Sequence, residues 1–517
     1  MRTTLIAAAL LLPSLAMAAP DKTVTFAPAK ALTRAPAHHY ASPLAINIDS
    51  RTDGAWSVAG DQAQWTYSLK VNNALSLGFH APQAMLPEGT VLTVNGIQHG
   101  ENDISRTGMW SLPVEGDVLE LVAVMPLNVS KQFLLNIKQV QAGFRSMQPL
   151  VVPKAQQVLK AVPGKAVLPQ HDFSKPIPKH QNPDCLKNQP FIERQSRAVA
   201  VLNVMNVGGC SATIMNNSNQ DETPYLLTAT HCGISEGRGD ISIGEYPSEA
   251  AHQGLADSAA STRAHFYDVQ KCNATTGSVV GSGAMDTNTY ILGAQHRAAL
   301  SDTWLIELDR HISAKMHPYF SGLDAPVVVV NETHPESDNG LFSIGHSYGG
   351  QQRYAPYLSC RSEFDSISVR CFLGEDFLDA VAAGASGSGL FDHSNRVSGT
   401  INGGGDGKED FILLSNFWTW NRGNANENIS AWLFPDSPIG QAPKRLDGYD
   451  PYGAFAVATP KPTAAPTATP KPTAVPTARP TATPVPAPQN GGDSGGGSMG
   501  LGLLALGLLA LRRKALN

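Results

Sequence analysis

The sequence has few charged residues and lacks the clusters that point to nucleic acid or a structural metal. Asp, Glu, Lys and Arg make up only 16% of the 517 residues, and the formal net charge is −5. No basic cluster is present, so a nucleic-acid-binding function is not indicated. The cysteines form no CxxC pair, so no metal site is indicated, and no cofactor is expected. The low charge, with 47 glycines and 37 prolines, is typical of β-rich secreted domains.

The first residues indicate export. Residues 1–18 contain one arginine, the apolar run "LIAAALLLPSLAMA" and the small-residue site Ala16-Met17-Ala18. This order is that of a signal peptide, which would direct the chain to the secretion machinery and be removed after about Ala18. A transmembrane anchor is the alternative, but the apolar run is short and ends in a cleavage site. Because an exported chain can form disulfides, the six cysteines predict up to three bridges.

The C-terminal end has three parts. Residues 439–490 contain repeats such as "TPKPTAAPTATP", which predict a Pro/Thr-rich stalk without a core. Residues 491–517 add "GGDSGGGS", the apolar stretch "MGLGLLALGLLAL" and the basic end "RRKALN". This order resembles the GlyGly-type sorting segments of Gram-negative bacteria, which contact the membrane transiently and are cut by a rhomboid-like protease. The resemblance implies a protein that is secreted or displayed at the cell surface; a simple tail anchor is the alternative.

Between the two ends, short apolar runs predict two all-β regions. Residues 19–150 contain runs such as "QWTYSLKV" and "DVLELVAVMP" between Gly, Pro and Asn turns, which indicates a small β-sandwich. Residues 151–180 are rich in Pro and Lys and predict a linker open to proteolysis. Residues 181–438 again predict many short strands with Gly-rich loops, and all six cysteines lie there.

The loop "GASGSG" at residues 384–389 is a candidate nucleophile turn. Glycines at positions −2 and +1 suit a serine, Ser386, that is presented on a tight turn. The backbone N–H groups of Gly384 and Ser386 would then form the oxyanion hole. Alone this signal is weak, because Gly/Ser loops are common.

His231 and Asp302 are the candidate partners of this serine. His231 follows the apolar strand in "PYLLTATHCG" and suits a catalytic base, with a metal ligand or an ordinary buried histidine as the alternatives. Asp302 opens the apolar strand "DTWLIELD", where a buried carboxylate needs a partner such as the Nδ1–H of an imidazole. The chain order His, Asp, Ser, with each residue at a strand end or loop, favours the catalytic interpretation.

These motifs resemble the bacterial lysyl endopeptidase family of chymotrypsin-like double β-barrel serine proteases. The resemblance covers about residues 180–437 and depends on "CSATIMNNSNQDETPYLLTATHCG", "SDTWLIELD", "GASGSGLFD", "VSGTINGG" and "ISAWLFP". It implies a secreted endopeptidase with the triad His231, Asp302 and Ser386. It also implies the bridges Cys210–Cys232 and Cys185–Cys272. The remaining Cys360 and Cys371 are close in sequence and are expected to pair locally.

Some residues depart from the family pattern. Gly389 replaces the usual proline after the nucleophile, and a further family bridge to the N-terminus has no cysteines here. The family selects lysine partly with an aromatic–histidine sandwich, but the matching position after "TI" is Asn402. The resemblance therefore implies a preference for basic residues, Lys or Arg, without deciding between them.

The acid that would bind a basic substrate side chain is not in the trypsin-like position, which here is Ala380. The family takes its acid from the segment after "INGG". Aligning that segment on Trp418 makes Asp410 the best candidate, with Asp406 and Glu409 close behind. A solvated polar loop without function is the alternative.

Two further functions and one processing event complete the predictions. The competing functions are an esterase and a binding or adhesin-like protein with an inactive protease fold. The intact triad order argues against the inactive fold.

Ala385 precedes the nucleophile, so the trypsin-type activation switch, which needs an aspartate there, is excluded. We therefore expect residues 19 to about 170 to be a pro-region that assists folding or masks the cleft. Lys165 and Lys175 are the candidate cleavage sites, and a permanent accessory domain is the alternative.

Overall fold

The computed structural model describes most of the chain up to residue 453. Residues 439–453, which were predicted to belong to the stalk, lie instead in the protease fold, because Arg445–Leu446 pairs with Leu323–Asp324 of the second barrel. The described residues are 20–33, 35–146, 180–186, 189–233, 244–266, 272, 290–325, 340–363, 367–419 and 423–453. The expected signal peptide, almost all of the linker, the Pro/Thr repeats and the sorting segment lie outside them. Within the described ranges, no helix has both the length and the apolar character needed to cross a membrane.

The N-terminal region, residues 20–146, is built from two sheets. One has the order β1-β4-β12-β7-β8, with β3 also paired to β4; the other has the order β2-β13-β5-β10-β9, with β11 on β5 and β6 on β13. The strands are β1 Lys22–Thr25, β2 Ala41–Asp49, β3 Ala55–Ala59, β4 Gln62–Asn72, β5 Ser76–Ala81, β6 Gln83–Met85, β7 Val91–Val94, β8 Ile97–His99, β9 Ile104–Ser105, β10 Gly108–Trp110, β11 Val114–Glu115, β12 Val118–Pro126 and β13 Leu134–Gly143.

Alternating side chains close this region around one core. In β4 every second residue from Ala63 to Val71 is buried, because successive side chains of a strand point to opposite faces. These residues pack with the inward side chains of β5, β12 and β13 in a single hydrophobic cluster. The arrangement is the expected small β-sandwich.

The strands after residue 190 form two further sheets. The first has the order β18-β17-β14-β15-β16-β20-β19 and the second β25-β22-β23-β24-β27-β26-β21-β28. The strands are β14 Val199–Val204, β15 Gly208–Met215, β16 Tyr225–Thr228, β17 Thr262–His265, β18 Tyr290–Leu292, β19 Ala294–Leu300, β20 Thr303–Leu308, β21 Leu323–Asp324, β22 Phe342–Gly345, β23 Arg353–Glu363, β24 Ser368–Leu373, β25 Gly389–Phe391, β26 Val397–Gly405, β27 Lys408–Leu413 and β28 Arg445–Leu446.

The second of these sheets closes on itself because β25 pairs with both β22 and β26. Each sheet encloses its own hydrophobic cluster, and a third cluster fills the space between them. The expected fold class is therefore confirmed: an all-β chymotrypsin-like double β-barrel preceded by a small β-sandwich.

Helices are short and peripheral in the described residues. They are α1 Pro28–Leu32, α2 Pro190–Ser196, α3 Glu249–Ala260, α4 Asn416–Thr419 and α5 Ser430–Leu433. α3 is the longest of them and begins with a capping serine, Ser248, whose hydroxyl accepts the N–H of Ala251 at 3.1 Å. Its buried side contacts β19 and so supports the hairpin that carries Asp302.

Candidate active site

His231 lies where the buried strand β16 ends and the chain turns. The 3₁₀ turn Thr230–Cys232 contains it. The disulfide between Cys210 and Cys232 fixes this turn to the neighbouring strand β15. The side chain of His231 is 30% exposed, so one side of the imidazole remains accessible.

Asp302 lies at the turn between β19 and β20 and is buried. Its Oδ2 is 2.7 Å from Nδ1 of His231. Its Oδ1 accepts hydrogen bonds from the backbone N–H of His231 at 2.9 Å and from the hydroxyl of Thr230 at 2.7 Å. Because an ionised carboxylate can only accept, Nδ1 of His231 carries the proton and Nε2 is left as the proton acceptor.

Asn402 completes the contacts of this carboxylate. Its side-chain amide donates to Oδ2 of Asp302 at 2.6 Å. The sequence located Asn402 only as a departure from the family's lysine-selecting residues, and its role beside Asp302 was missed. No local pattern shows that contact, because the two residues lie on different barrels.

Burial and charge oppose each other in the His231–Asp302 pair. Burial raises the pKa of Asp302, but the charge of His231 and the hydrogen bonds from His231 and Asn402 outweigh it and lower that pKa. Burial lowers the pKa of His231, but the charge and hydrogen bond of Asp302 outweigh it, so that pKa lies above its usual 6.5. The carboxylate is therefore held ionised beside a strengthened base.

The turn that carries Ser386 packs directly against the strand leading to His231. Gly387, which follows the serine, has a φ of +83°. A β-carbon at Gly387 would lie 2.2 Å from Oγ1 of Thr228 and 2.9 Å from the backbone nitrogen of Ala229. Only glycine allows this approach. The structure thus places the loop of Ser386 against the segment that leads into His231.

Ser211, on β15, holds the same turn from the other barrel. Its backbone N–H donates to the carbonyl of Ser386 at 2.9 Å, and its hydroxyl donates to the carbonyl of Gly384 at 2.9 Å. Among the described residues, neither the N–H of Gly384 nor that of Ser386 donates to a protein acceptor. Within the described residues, neither expected oxyanion-hole donor is therefore committed to a protein partner.

The acidic segment on β27 divides between the two faces of the strand. Asp410 makes a two-point ion pair with Arg370, at 2.7 and 2.9 Å, and its side chain is 20% exposed. Glu409, the preceding residue, is 3% exposed. The structure therefore places Asp410, the favoured pocket residue from the sequence, outside the barrel in an ion pair, and it places Glu409 inside. Asp406 lies in the exposed turn before β27.

The six cysteines form the three expected pairs, Cys185–Cys272, Cys210–Cys232 and Cys360–Cys371. Cys210 and Cys232 also lie close to His231. Their sulfurs are bonded to each other, so they provide no thiolates for a metal. Their contribution to the site is to fix the turn of the histidine.

The chymotrypsin-like serine proteases are defined by two barrels. One barrel carries a buried His–Asp pair, and the other carries a serine turn bounded by glycines. Residues 180–409 match the family described as "Lysyl endopeptidase, C-terminal domain". This match and the fold support a serine endopeptidase.

Matches among solved structures have low sequence identity. An active-form protease from M. tuberculosis is 14% identical and matches 54% of this chain and 96% of its own, with a TM-score of 0.26. A Glu endopeptidase is 14% identical, with coverages of 42% and 85% and a TM-score of 0.23. A serine protease of human pathogenic astrovirus is 10% identical, with coverages of 42% and 90% and a TM-score of 0.23.

Proposed function

We propose that this protein is a secreted serine endopeptidase whose catalytic triad is Ser386, His231 and Asp302. The observation that carries the proposal is the 2.7 Å contact between Nδ1 of His231 and Oδ2 of Asp302. It fixes the ring so that Nε2 is the free base, and the loop of Ser386 packs against the same strand end. The competing esterase and adhesin-like functions have no specific observation in their favour.

In this mechanism the hydroxyl of Ser386 attacks the carbonyl carbon of the scissile bond. His231 accepts the serine proton at Nε2 and returns it to the leaving amine. The N–H groups of Gly384 and Ser386 stabilise the oxyanion that forms on the carbonyl oxygen. Water then hydrolyses the acyl-enzyme, with His231 acting as base again, while Asp302 stabilises the imidazolium in both steps.

We further propose that Glu409 gives a preference for Lys or Arg at the residue before the scissile bond. Glu409 and Phe411 are two apart on β27, so they share a face. Phe411 packs in the same core cluster as Ala380 and Ala385, which lie six residues and one residue before the nucleophile. The side chain of Glu409 therefore lies on the face of β27 that is turned towards the nucleophile loop.

Two features of Glu409 suit a cation-binding role. It pairs in register with Gly404, and a β-carbon there would lie 2.3 Å from Oε2 of Glu409, so glycine leaves room for the carboxyl group. Among the described residues no cation or hydrogen-bond donor contacts that carboxyl, and burial, with the nearby Asp410, raises its pKa to about 8. A substrate ammonium or guanidinium would supply the missing partner.

Export, surface display and processing complete the proposal. The signal peptide, the stalk and the GlyGly-type segment support a protein that is secreted or held at the surface of a Gram-negative bacterium, after cleavage by a rhomboid-like protease. Residues 19 to about 170 are proposed to be a pro-region removed by cleavage in the linker. The intact mass of the active species tests this, because an active enzyme that still begins near Ala19 after prolonged incubation contradicts it.

The catalytic assignment is tested with paired serine variants. Ser386→Ala should lower kcat for peptide hydrolysis on the order of 10⁶-fold, because triad residues act as a unit. Ser394→Ala is the control, since that serine lies exposed in the turn after β25. Hydrolysis by Ser386→Ala at the rate of the control would contradict the triad, and absence of hydrolysis by the unaltered, processed protein would favour the adhesin-like alternative.

A further inference from the structure

A short N-terminal segment lies along the edge of the first barrel beside His231. This cover segment, residues 36–41, forms an antiparallel bridge between His39 and Gly208. The N–H of Gly209 donates to the carbonyl of His38 at 3.0 Å, and the N–H of Tyr40 donates to the carbonyl of Val207 at 2.8 Å. The segment thus extends the sheet at the residues that lead into Cys210.

The ring of His38 packs against one side of the imidazole of His231. The ring centroids of His38 and His231 are 5.1 Å apart and the rings are tilted by 59°. His38 is 7% exposed, so it is enclosed between the two domains rather than extended into solvent. An extended substrate that paired with this edge would need the N–H of Gly209, which already donates to the carbonyl of His38.

Two side chains anchor the segment at its ends. Tyr40 is fully buried against Val201, and its hydroxyl donates to Oδ1 of Asn203 at 3.0 Å. From the sandwich, the guanidinium of Arg145 donates to the carbonyls of Pro36 at 2.6 Å and His39 at 2.7 Å. These carbonyl contacts tie the backbone of the cover segment to the sandwich.

A buried charge cluster joins the same two domains at a second place. Arg263, on β17, donates to the carbonyl of Trp110 at 2.8 Å and lies 3.4 Å from Oδ1 of Asp103. The hydroxyl of Tyr290 donates to the same oxygen of Asp103 at 2.6 Å. Both charged groups are buried, so each needs the polar partners that the other domain supplies. The sandwich is therefore docked specifically, with the cover segment in a defined register.

We propose that the cover segment is an intramolecular inhibitor: in the uncut chain it occupies the edge of β15 and packs against His231, which keeps an extended substrate out of the site and the protease latent. This inference rests on the proposed function and specifies how that site is regulated. While the linker is intact, the segment is held at a high effective concentration beside the cleft. Cutting the linker makes docking bimolecular, so the segment dissociates on dilution and the site opens.

The test uses the full chain with a controllable cut. A recognition sequence for a protease of unrelated specificity is placed within residues 151–180, and Lys165 and Lys175 are changed to Gln to limit self-cleavage. The kcat/KM for an internally quenched peptide is measured before the cut and after the cut at nanomolar protein. Fluorophosphonate titration of the cut form counts the active sites. The variants are His38→Ala, Arg145→Ala and the control Arg51→Ala, whose guanidinium contacts only Asp49 on the sandwich surface.

The expected result is an uncut chain at least 10-fold less active than the cut chain. His38→Ala and Arg145→Ala should raise the activity of the uncut chain about 10-fold, and Arg51→Ala should leave it unchanged. Equal activity before and after the cut, or no difference among the three variants, would overturn the inhibitory role while leaving the protease assignment intact. A cut chain with no titratable serine would overturn the proposed function, and latency with it.

Discussion

The side-chain amide of Asn402 donates a 2.6 Å hydrogen bond to Oδ2 of Asp302. The same oxygen lies 2.7 Å from Nδ1 of His231, so one carboxylate oxygen bridges a residue of each barrel. The buried charge of Asp302 is thus shared between a fixed amide dipole and the imidazole. Asn402 is a positioning residue in this account, because it acts through Asp302 and not on the substrate.

Replacing Asn402 should therefore change both the rate and its pH dependence. Asn402→Ala removes a hydrogen bond to a charged group, worth about 1.5–3 kcal/mol, that holds Asp302 in the orientation needed by His231, so kcat should fall about 10- to 100-fold. Without the amide dipole, Asp302 stabilises the imidazolium more, and the acidic limb of kcat/KM should move to higher pH. In the unaltered enzyme that limb should already lie above pH 6.5, because the pKa of His231 is raised.

The control for this prediction is Asn402→Ser, which keeps a donor. It should recover part of the lost rate and shift the acidic limb less. An unchanged pH profile in Asn402→Ala would show that the contact is structural only.

The specificity assignment gives a matched pair of variants on one strand. Glu409→Gln should lower kcat/KM for peptides with Lys or Arg before the scissile bond by about 10²- to 10³-fold, because the substrate cation loses its buried partner. Asp410→Asn, one residue along, should change it less than threefold, since Asp410 is paired with Arg370 on the other face. The measurement is kcat/KM on peptides that differ only at that residue.

A larger loss in Asp410→Asn than in Glu409→Gln would show that Asp410 binds the basic side chain of the substrate. A preference of the unaltered enzyme for apolar residues before the scissile bond would show that neither carboxyl group does. Labelling of Ser386 by a small fluorophosphonate serves as the control. It should be equal in the two variants, because that reagent places no cation in the pocket.

The buried carboxyl of Glu409 also predicts a pH-dependent cost in stability. Burial first, then the charge of Asp410, raises its pKa from 4.5 to about 8, so the folded protein holds a proton that the unfolded chain releases. Stability is therefore unaffected below pH 4.5 and falls as the pH rises from 4.5 towards 8. Glu409→Gln should have a higher urea midpoint than the unaltered protein at pH 8 and the same midpoint at pH 4. Equal differences at both pH values would contradict this.

The latency of the uncut chain should weaken on acidification. Burial, followed by the charges of His231 and His39 and then Arg145, lowers the pKa of His38 to about 2, although a hydrogen bond to the backbone of His231 opposes this. Burial, then Arg145 and His231, lowers the pKa of His39 to about 4. Because the docked form holds both rings neutral, docking is strongest above pH 6.5 and weakens as the pH falls below it, up to about 10-fold per unit for each histidine.

The ratio of uncut to cut activity at each pH is the measurement, since the titration of His231 itself largely cancels in it. The ratio should rise between pH 6.5 and 5 and should rise less in His38→Ala. A ratio that does not change with pH would show that docking does not depend on the protonation of these histidines.

The sequence predicted the elements that local pattern determines. Strand ends marked His231 and Asp302, and the glycines around Ser386 marked a tight turn, because each signal lies within about ten residues. The choice between Glu409 and Asp410 could not be made in this way, because a one-residue change in strand phase exchanges the two faces. The register shift between Ile401 and Gly403 on the partner strand is not visible in the sequence.

The cover segment illustrates a second limit. His38 and His231 are 193 positions apart in the chain, and nothing in "APAHHYAS" distinguishes a cleft-binding segment from a loop. The sequence predicted a pro-region that assists folding or masks the cleft, from the linker and the missing activation aspartate. The residues that make the contact follow only from how the sandwich and the barrel meet.

The most direct test of the central claim is to map where a fluorophosphonate reacts in the cut protein. Mass spectrometry should find one adduct, on Ser386, and labelling should slow by at least about 10³-fold in His231→Ala, because the serine is then no longer activated. An adduct on another serine, or labelling of Ser386 that is unaffected by loss of His231, would contradict the triad.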